Sequence, residues 1–221
     1  MDIGIIGAGK IGGTLTRRLT TLGHDVKVAN SRAPETLAEL AAETGATAVW
    51  AADAAADADL VIVSIPQKNV VDLAAGIVDA RKPGAPVIET NNYYPRERDG
   101  LISAIEDGTP ESVWVAQELG VPVFKVFNGI FWKRLLDGGL PAGDASRIAL
   151  PIAGDDPTGK QVVFALVDAL GFDPVDGGSL AESWRQQPGT PVYGADLDAE
   201  GAIRALAEAS PERPEGFRAA A

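Results

Sequence analysis

The first thirteen residues, MDIGIIGAGKIGG, set Gly7, Gly9 and Gly12 in a G-x-G-x-x-G pattern between a short apolar run and a helical one. No other feature restricts the fold as much. The first glycine permits a tight strand-to-helix turn, the second lets backbone approach a pyrophosphate, and the third lets helix pack close to strand. A helix that begins here turns its free N–H groups and positive dipole end toward such an anion, with Lys10 and Ile11 in its first turn. In a chain with 25 glycines the spacing alone is a weak signal. Its place within a βαβ unit gives it weight.

That unit reads as a strand over 2–6, a helix over 10–22 with Ile11, Leu15, Leu19 and Leu22 at helical spacing, and a strand over 26–29. Pro34 then stands near the start of a helix running through Leu37, Leu40 and Ala41. Further strands are predicted at 46–50, 60–65 and 86–89, in VPVFKVF, in IALPIAG and at 172–175. Helices are predicted after Pro66, at 111–118 and over 157–170. Near-continuous apolar strands suit a parallel sheet covered by helices on both faces. The expected class is therefore α/β, a Rossmann-type doubly wound, mostly parallel sheet in which all these strands continue one sheet. Residues 1–195 are expected to form a single domain holding cofactor and acceptor, and 196–221 a C-terminal helix and tail whose last dozen residues look frayed or partner-bound.

The 19 Lys and Arg against 31 Asp and Glu give a net charge of −12, which repels nucleic acid and anionic membrane surfaces. An anionic cofactor then needs a local positive site. With no cysteine, thiolate catalysis and thiolate metal sites are excluded, and the single histidine, His24, falls in a turn opposite the cofactor crevice, where its role is structural. No apolar run approaches the ~20 residues of a membrane helix, so a cytoplasmic location is expected.

After the second strand the chain reads VANSRAPETL. A site preferring NAD carries an acidic residue about 20 residues beyond the glycine turn to bind the ribose 2′-hydroxyl, whereas one preferring NADP uses arginine for the 2′-phosphate. Here Asn30, Ser31 and Arg32 occupy that place and no acid appears before Glu35. The stretch selects NADP, Arg32 supplying a charge-assisted pair; the bland alternative is a solvated turn arginine with Asn30 capping a helix.

With GAGKIGG, the NSR turn, VIVSIP at 61–66, KVFN at 125–128, PIAGDD at 151–156 and GFDPVDGGSLAESW at 171–184 in view, the chain from residue 1 to about 195 resembles the NADP oxidoreductases that include the deazaflavin (coenzyme F420)-dependent NADP reductases. It is also similar to the oxidoreductase domain of the six-transmembrane metalloreductases. The resemblance implies hydride transfer between NADPH and a second ring at the carboxyl ends of the strands. The protein then mainly positions two rings, without a strong acid or base. It also implies a homodimer and a small-molecule redox acceptor. The loop TNNYYPRERDG is more polar and aromatic than its counterpart in the deazaflavin reductases, which leaves the acceptor open: the deazaflavin, a flavin, or a small imine or carbonyl compound. A silent NADP-sensing module is a further alternative.

The candidate site residues follow from these strand ends. Ser64, Ile65 and Pro66 end the central strand and can touch the cofactor, or else mark a strand end and helix start. Thr90, Asn91 and Asn92 suit the nicotinamide side, or form a self-satisfied polar turn. Tyr93 and Tyr94 can wall the acceptor pocket, with at least one of them core. The resemblance points to Asn128 for orienting a reacting ring and to Trp184 for the acceptor-side loop, although a buried Trp is usually core. Lys125 is expected to face a helix or partner without chemistry, and residues 96–98 to be a solvated face. Asp155 and Asp156 are expected to cap the next helix, and no metal site is expected.

Overall fold

The computed structural model describes residues 1–220. Strand β1 (Asp2–Ile6) runs into the glycine turn and helix α1 (Lys10–Thr21), followed by β2 (Asp25–Ala29), α2 (Ala38–Thr44), β3 (Thr47–Ala48), α3 (Ala51–Ala54) and β4 (Leu60–Val63). A 3-10 turn rather than an α-helix follows Pro66, over Gln67–Asp72. Then come β5 (Val87–Glu89), α4 (Ser103–Glu106), α5 (Glu111–Leu119), β6 (Phe124–Lys125) and α6 (Trp132–Asp137). The last elements are β7 (Ala149–Ile152), α7 (Pro157–Ala169), β8 (Asp173–Asp176) and α8 (Ala199–Glu208).

Six strands pair in parallel in the order β3-β2-β1-β4-β5-β6. Neighbouring β1 and β4 thus diverge to opposite sides, and the crevice above their carboxyl ends is where a doubly wound sheet takes a ligand. Side chains alternate across the sheet. Ile3, Ile5, Ile62, Ile88 and Phe124 enter one core with Leu15 and Leu19 of α1, while Val61, Val63, Val87 and Val123 enter the other with Trp114 and Val115 of α5. Burial on both faces explains the unbroken apolar strands.

Two expectations need correction. The last two strands do not continue the sheet: β7 and β8 pair in parallel with each other, tied to β6 by one antiparallel bridge between Lys125 and Ala153. Pro151 and Pro174 remove an N–H donor from each strand, so neither can sustain ladders on both edges. The tail beyond α8, described over residues 209–220, is not frayed. It folds back on the domain, where Arg213 pairs with Glu111 at 2.8 Å and the Ala219 N–H donates to Glu106 at 2.9 Å. No described helix is long and apolar enough to cross a membrane.

Candidate functional site

Each glycine of the turn meets a different constraint. Gly7 has φ +110, and a Cβ there would lie 2.1 Å from the Ser64 carbonyl oxygen; a Cβ on Gly12 would lie 1.8 Å from the Gly7 oxygen. Gly9 is exposed, and a Cβ on it would meet nothing within 4 Å. Two glycines therefore let β1, β4 and α1 converge, and the third leaves an open cradle above the helix end. Helix α1 begins at Gly9 with no side-chain cap and no acidic residue in its first turn. Its first internal bond is from the Gly13 N–H to the Gly9 oxygen, so the N–H groups of Lys10, Ile11 and Gly12 lie ahead of the helical ladder. Exposed Lys10 stands beside them. Free donors, an open cradle and an uncompensated dipole fit a diphosphate.

At the end of β2, the Asn30 carboxamide oxygen accepts the Arg32 N–H at 2.8 Å while its nitrogen donates to the Thr36 hydroxyl at 3.0 Å. Asn30 thus makes an Asx turn that shapes the loop instead of capping a helix. Ser31 and Arg32 are exposed, and the Arg32 guanidinium has no ion-pair partner among the described residues. A cation held on a shaped turn and left unpaired fits an added phosphate.

Toward the other end of the crevice, Thr90 donates to the Ser64 hydroxyl at 2.9 Å, and the Asn91 carboxamide oxygen accepts the Ile65 N–H at 3.3 Å. Ser64, Ile65 and Pro66 are half-buried, as a crevice floor requires. Asn91 is 2% exposed and its side-chain nitrogen is an unsatisfied donor. Asn92 and Asn128 are joined: Asn92 donates to the Asn128 carbonyl at 2.8 Å and the Asn128 amide donates to the Asn92 oxygen at 3.1 Å. The same Asn128 amide donates to the Gln186 carbonyl at 2.7 Å, and its oxygen accepts from Gln186 at 3.2 Å. Phe127, buried at φ 64, turns the chain sharply to deliver Asn128, a costly conformation for a bulky residue. The structure thus brings the 90–92 loop and Asn128 together, with Asn128 engaged in bracing Asn92.

Other sequence-based placements change. Tyr93 is fully buried, its hydroxyl donating to the Gly100 carbonyl at 2.9 Å and accepting the Ile102 N–H at 3.1 Å, so it braces the loop and cannot wall a pocket. Tyr94 is the half-exposed ring, and its hydroxyl meets that of Tyr193. Burial, then the contact with Tyr94, pushes the Tyr193 phenol far above its usual range, so it keeps its proton. Trp184 lines a cavity of about 360 Å³ beneath the C-terminal tail, with Arg185 stacked 4.5 Å from its ring centre. It lies on the tail's side of the 180–186 turn, whereas Gln186 faces Asn128. Arg98 is no mere solvated charge, since it donates to the Asn92 carbonyl and stacks on Tyr94. Lys125 is fully buried, pairing with Glu89 at 3.2 Å and donating to the Asn91 carbonyl at 2.9 Å. A cation in VFKVF and an acid closing PVIE, side by side once β5 and β6 pair, were the available signal. Gln186, Tyr193 and Arg213 gave none. His24 lies at the opposite sheet end, its nitrogen 3.3 Å from the Met1 amine, and Asp156 caps α7 through the N–H groups of Thr158 and Gly159.

Residues 2–93 match the model of the family described as NADP oxidoreductase, coenzyme F420-dependent. Over these residues, less than half of its length, the chain is similar to that family. The match covers the glycine turn, the Asn30–Arg32 turn and the strand ends through Tyr93, but not Asn128, Tyr193 or Arg213. The chain is similar to protein YjhV of Escherichia coli K12, 53% identical over 67 residues, or 30% of this chain and 49% of that protein. It therefore spans about half the length of this curated relative. Among solved structures, a hypothetical protein of Sinorhizobium meliloti superposes with a TM-score of 0.74 and 28% identity over 89% of this chain and 95% of that one. A candidate F420-dependent NADP-reductase from Arthrobacter sp. FB24 superposes with a TM-score of 0.65 and 21% identity over 83% and 87%, which establishes shared fold.

Proposed function

We propose that the chain transfers hydride between NADP(H) and a deazaflavin of the coenzyme F420 type. The observation that carries the cofactor half is the pairing of an open cradle at Gly9 with an unpaired Arg32 on the Asn30 turn. The family description supports the acceptor half. When bound, NADPH supplies the hydride. The protein's residues hold and orient: the N–H groups of Lys10, Ile11 and Gly12 take the diphosphate, and Asn30, Ser31 and Arg32 the 2′-phosphate. Ser64, Ile65, Pro66, Thr90, Asn91 and Asn92 border the nicotinamide side. Reduction of the acceptor consumes one hydride and one proton, and the deazaflavin ring can take its proton from water, so no acid–base residue is demanded.

A second reading, reduction of a small imine or carbonyl compound, is favoured by the hydroxyl of Tyr193, which meets that of Tyr94 and lines a small cavity together with Asn128. Held protonated, the Tyr193 hydroxyl offers an O–H donor to a developing alkoxide or amine. Anaerobic oxidation of NADPH by purified protein, with the deazaflavin, flavin mononucleotide and a cyclic imine in parallel, separates the readings. Fast turnover with the deazaflavin alone supports the first and turnover of the imine alone the second. Tight NADPH binding without turnover moves the weight to a sensor. A cytoplasmic homodimer belongs to the same proposal, and light scattering tests the dimer.

A further inference from the structure

Behind the 90–94 loop lies a buried polar cluster that no dinucleotide contact explains, and one of its members comes from the far end of the chain. Arg213, 11% exposed, donates to Glu111 at 2.8 Å and to the Gln187 side-chain oxygen at 3.0 Å, and its guanidinium lies 5.3 Å from the Tyr93 ring centre. Glu111 is fully buried. Its second oxygen accepts the Tyr93 N–H at 3.2 Å and stands 3.9 Å from the Lys125 ammonium. Lys125 pairs with Glu89 and donates to the Asn91 carbonyl, while Glu89 accepts the Asn91 N–H at 2.7 Å. The backbone of the strand-end loop therefore hangs on two carboxylates and two cations. The tail grips the same loop from outside: Phe217 packs 6.5 Å from the Tyr94 ring centre, and Arg96 donates to the carbonyls of Arg218 at 2.9 Å and Glu215 at 3.0 Å.

Resting on the reading that residues 90–92 border the nicotinamide and Tyr94 the acceptor, we propose that Arg213 is a positioning residue through which the C-terminal tail, by ion-pairing Glu111, sets the conformation of residues 91–94 and so the rate of acceptor reduction. The charge arithmetic demands it. Without Arg213, two fully buried carboxylates share one ammonium, and an uncompensated buried charge is not tolerated. Glu111 then either takes a proton or draws Lys125 from the Asn91 carbonyl, and both changes loosen the loop. Burial already pushes the Glu111 carboxyl above its usual range, against the pull of Lys125 and Arg213.

The test compares the full chain with R213M, R213K and E111Q/R213M. Amide hydrogen exchange over residues 91–99, NADPH affinity by fluorescence, and acceptor kinetics are measured for each. R213M is expected to speed exchange in this loop and to lower kcat by about tenfold or more while leaving NADPH affinity within about twofold. R213K keeps the charge and should recover most of both losses, and E111Q/R213M should recover loop protection because no carboxylate is orphaned. Wild-type exchange in R213M overturns the proposal. So does protection lost evenly along the chain, or E111Q/R213M as exposed as R213M. If R213M does not fold, R213K and E111Q/R213M decide: wild-type-like loop protection in both supports the proposal, and loss of it in both overturns it. If no acceptor turns over, the function reading fails while the exchange comparison still decides the role of Arg213.

Discussion

A methyl group at Gly9 and one at Gly12 should have opposite consequences, and the contrast isolates the cofactor site from the fold. At Gly9 the backbone lies at φ −73 and ψ −161, and a Cβ would meet nothing within 4 Å. Alanine takes that conformation without strain, so Gly9→Ala should leave stability unchanged or raise it by up to ~1 kcal/mol through the less flexible unfolded chain. At Gly12 the Cβ would stand 1.8 Å from the Gly7 oxygen and 3.0 Å from its carbonyl carbon, so backbone must move. Overpacking of this kind costs about 1–3 kcal/mol or more, and at roughly 2–4 °C per kcal/mol for a chain of this size the melting temperature should fall by about 2–12 °C. For NADPH the order reverses, because the Gly9 methyl fills the space through which a diphosphate reaches the N–H groups of α1. Losing one such charge-assisted hydrogen bond, at about 1.5–3 kcal/mol, weakens affinity roughly ten- to a hundredfold. Thermal melts of the free protein and NADPH titrations followed by nicotinamide fluorescence read both effects. Gly9→Ala binding NADPH like the parent would refute the assignment of the cradle. A destabilised Gly9→Ala would show that the space above it is not open.

Arg32→Ala should weaken NADPH by ~1–3 kcal/mol and leave NADH nearly unchanged; equal losses for both cofactors would contradict the reading of the Asn30–Arg32 turn. Lys125→Met leaves Glu89 as a fully buried, unpaired carboxylate and should cost about 3–5 kcal/mol in denaturant unfolding, whereas a loss below ~1 kcal/mol would mean the pair is not desolvated. Hydrogen bonding to Lys82 holds Asp59 below its usual range near 3.8, and the backbone and hydroxyl of Ser179 do the same for Glu182 below 4.5. Depressed folded-state values contribute stability above those unfolded values and lose it as pH falls, so Asp59→Asn and Glu182→Gln should flatten the acid limb of a stability profile taken between pH 6 and 3; unchanged slopes would refute those contacts. Glu111 has the opposite sign, since burial raises it. Its contribution is full below about 4.5 and declines as pH rises, so parent stability relative to Glu111→Gln should fall from pH 4 to 8, and a rise would mean that Lys125 and Arg213 outweigh burial.

The local geometry of the candidate cofactor half was legible in the sequence. A turn needing φ +110 at Gly7 and a helix packing on that turn at Gly12 can be built from few residue types, so spacing reports geometry directly. The same holds for Asn30, which acts on backbone two residues away. The proposed acceptor end follows another logic. Its framework joins Asn92 to Asn128, Asn128 to Gln186, Tyr94 to Tyr193 and Glu111 to Arg213, pairs separated by 36 to 102 positions. No local periodicity encodes such contacts, and the residues look ordinary until the fold closes. Tyr93 and Trp184 show the same limit from the other side, since both are aromatic, near a strand end or turn, and indistinguishable in sequence from a ring that faces a ligand. One hydroxyl is consumed by the Gly100 carbonyl and the other ring lies under the tail.

This division bears on how the chain works. The family match ends at Tyr93, close to where local encoding gives way to long-range contacts. The phosphate cradle is built by the first thirteen residues packed on Ser64, whereas the proposed acceptor end is assembled from five separated segments and completed by residues 213–219. Charge makes the assembly cooperative. Glu89 and Lys125 fix the Asn91 backbone, Glu111 fixes Tyr93, and Glu111 is left without a full counter-charge unless the tail is in place. A change in the tail should therefore reach the acceptor loop across more than a hundred residues of chain without touching the phosphate cradle, and acceptor choice should respond to substitutions at Tyr94, Tyr193 and Arg213 that leave NADPH binding alone.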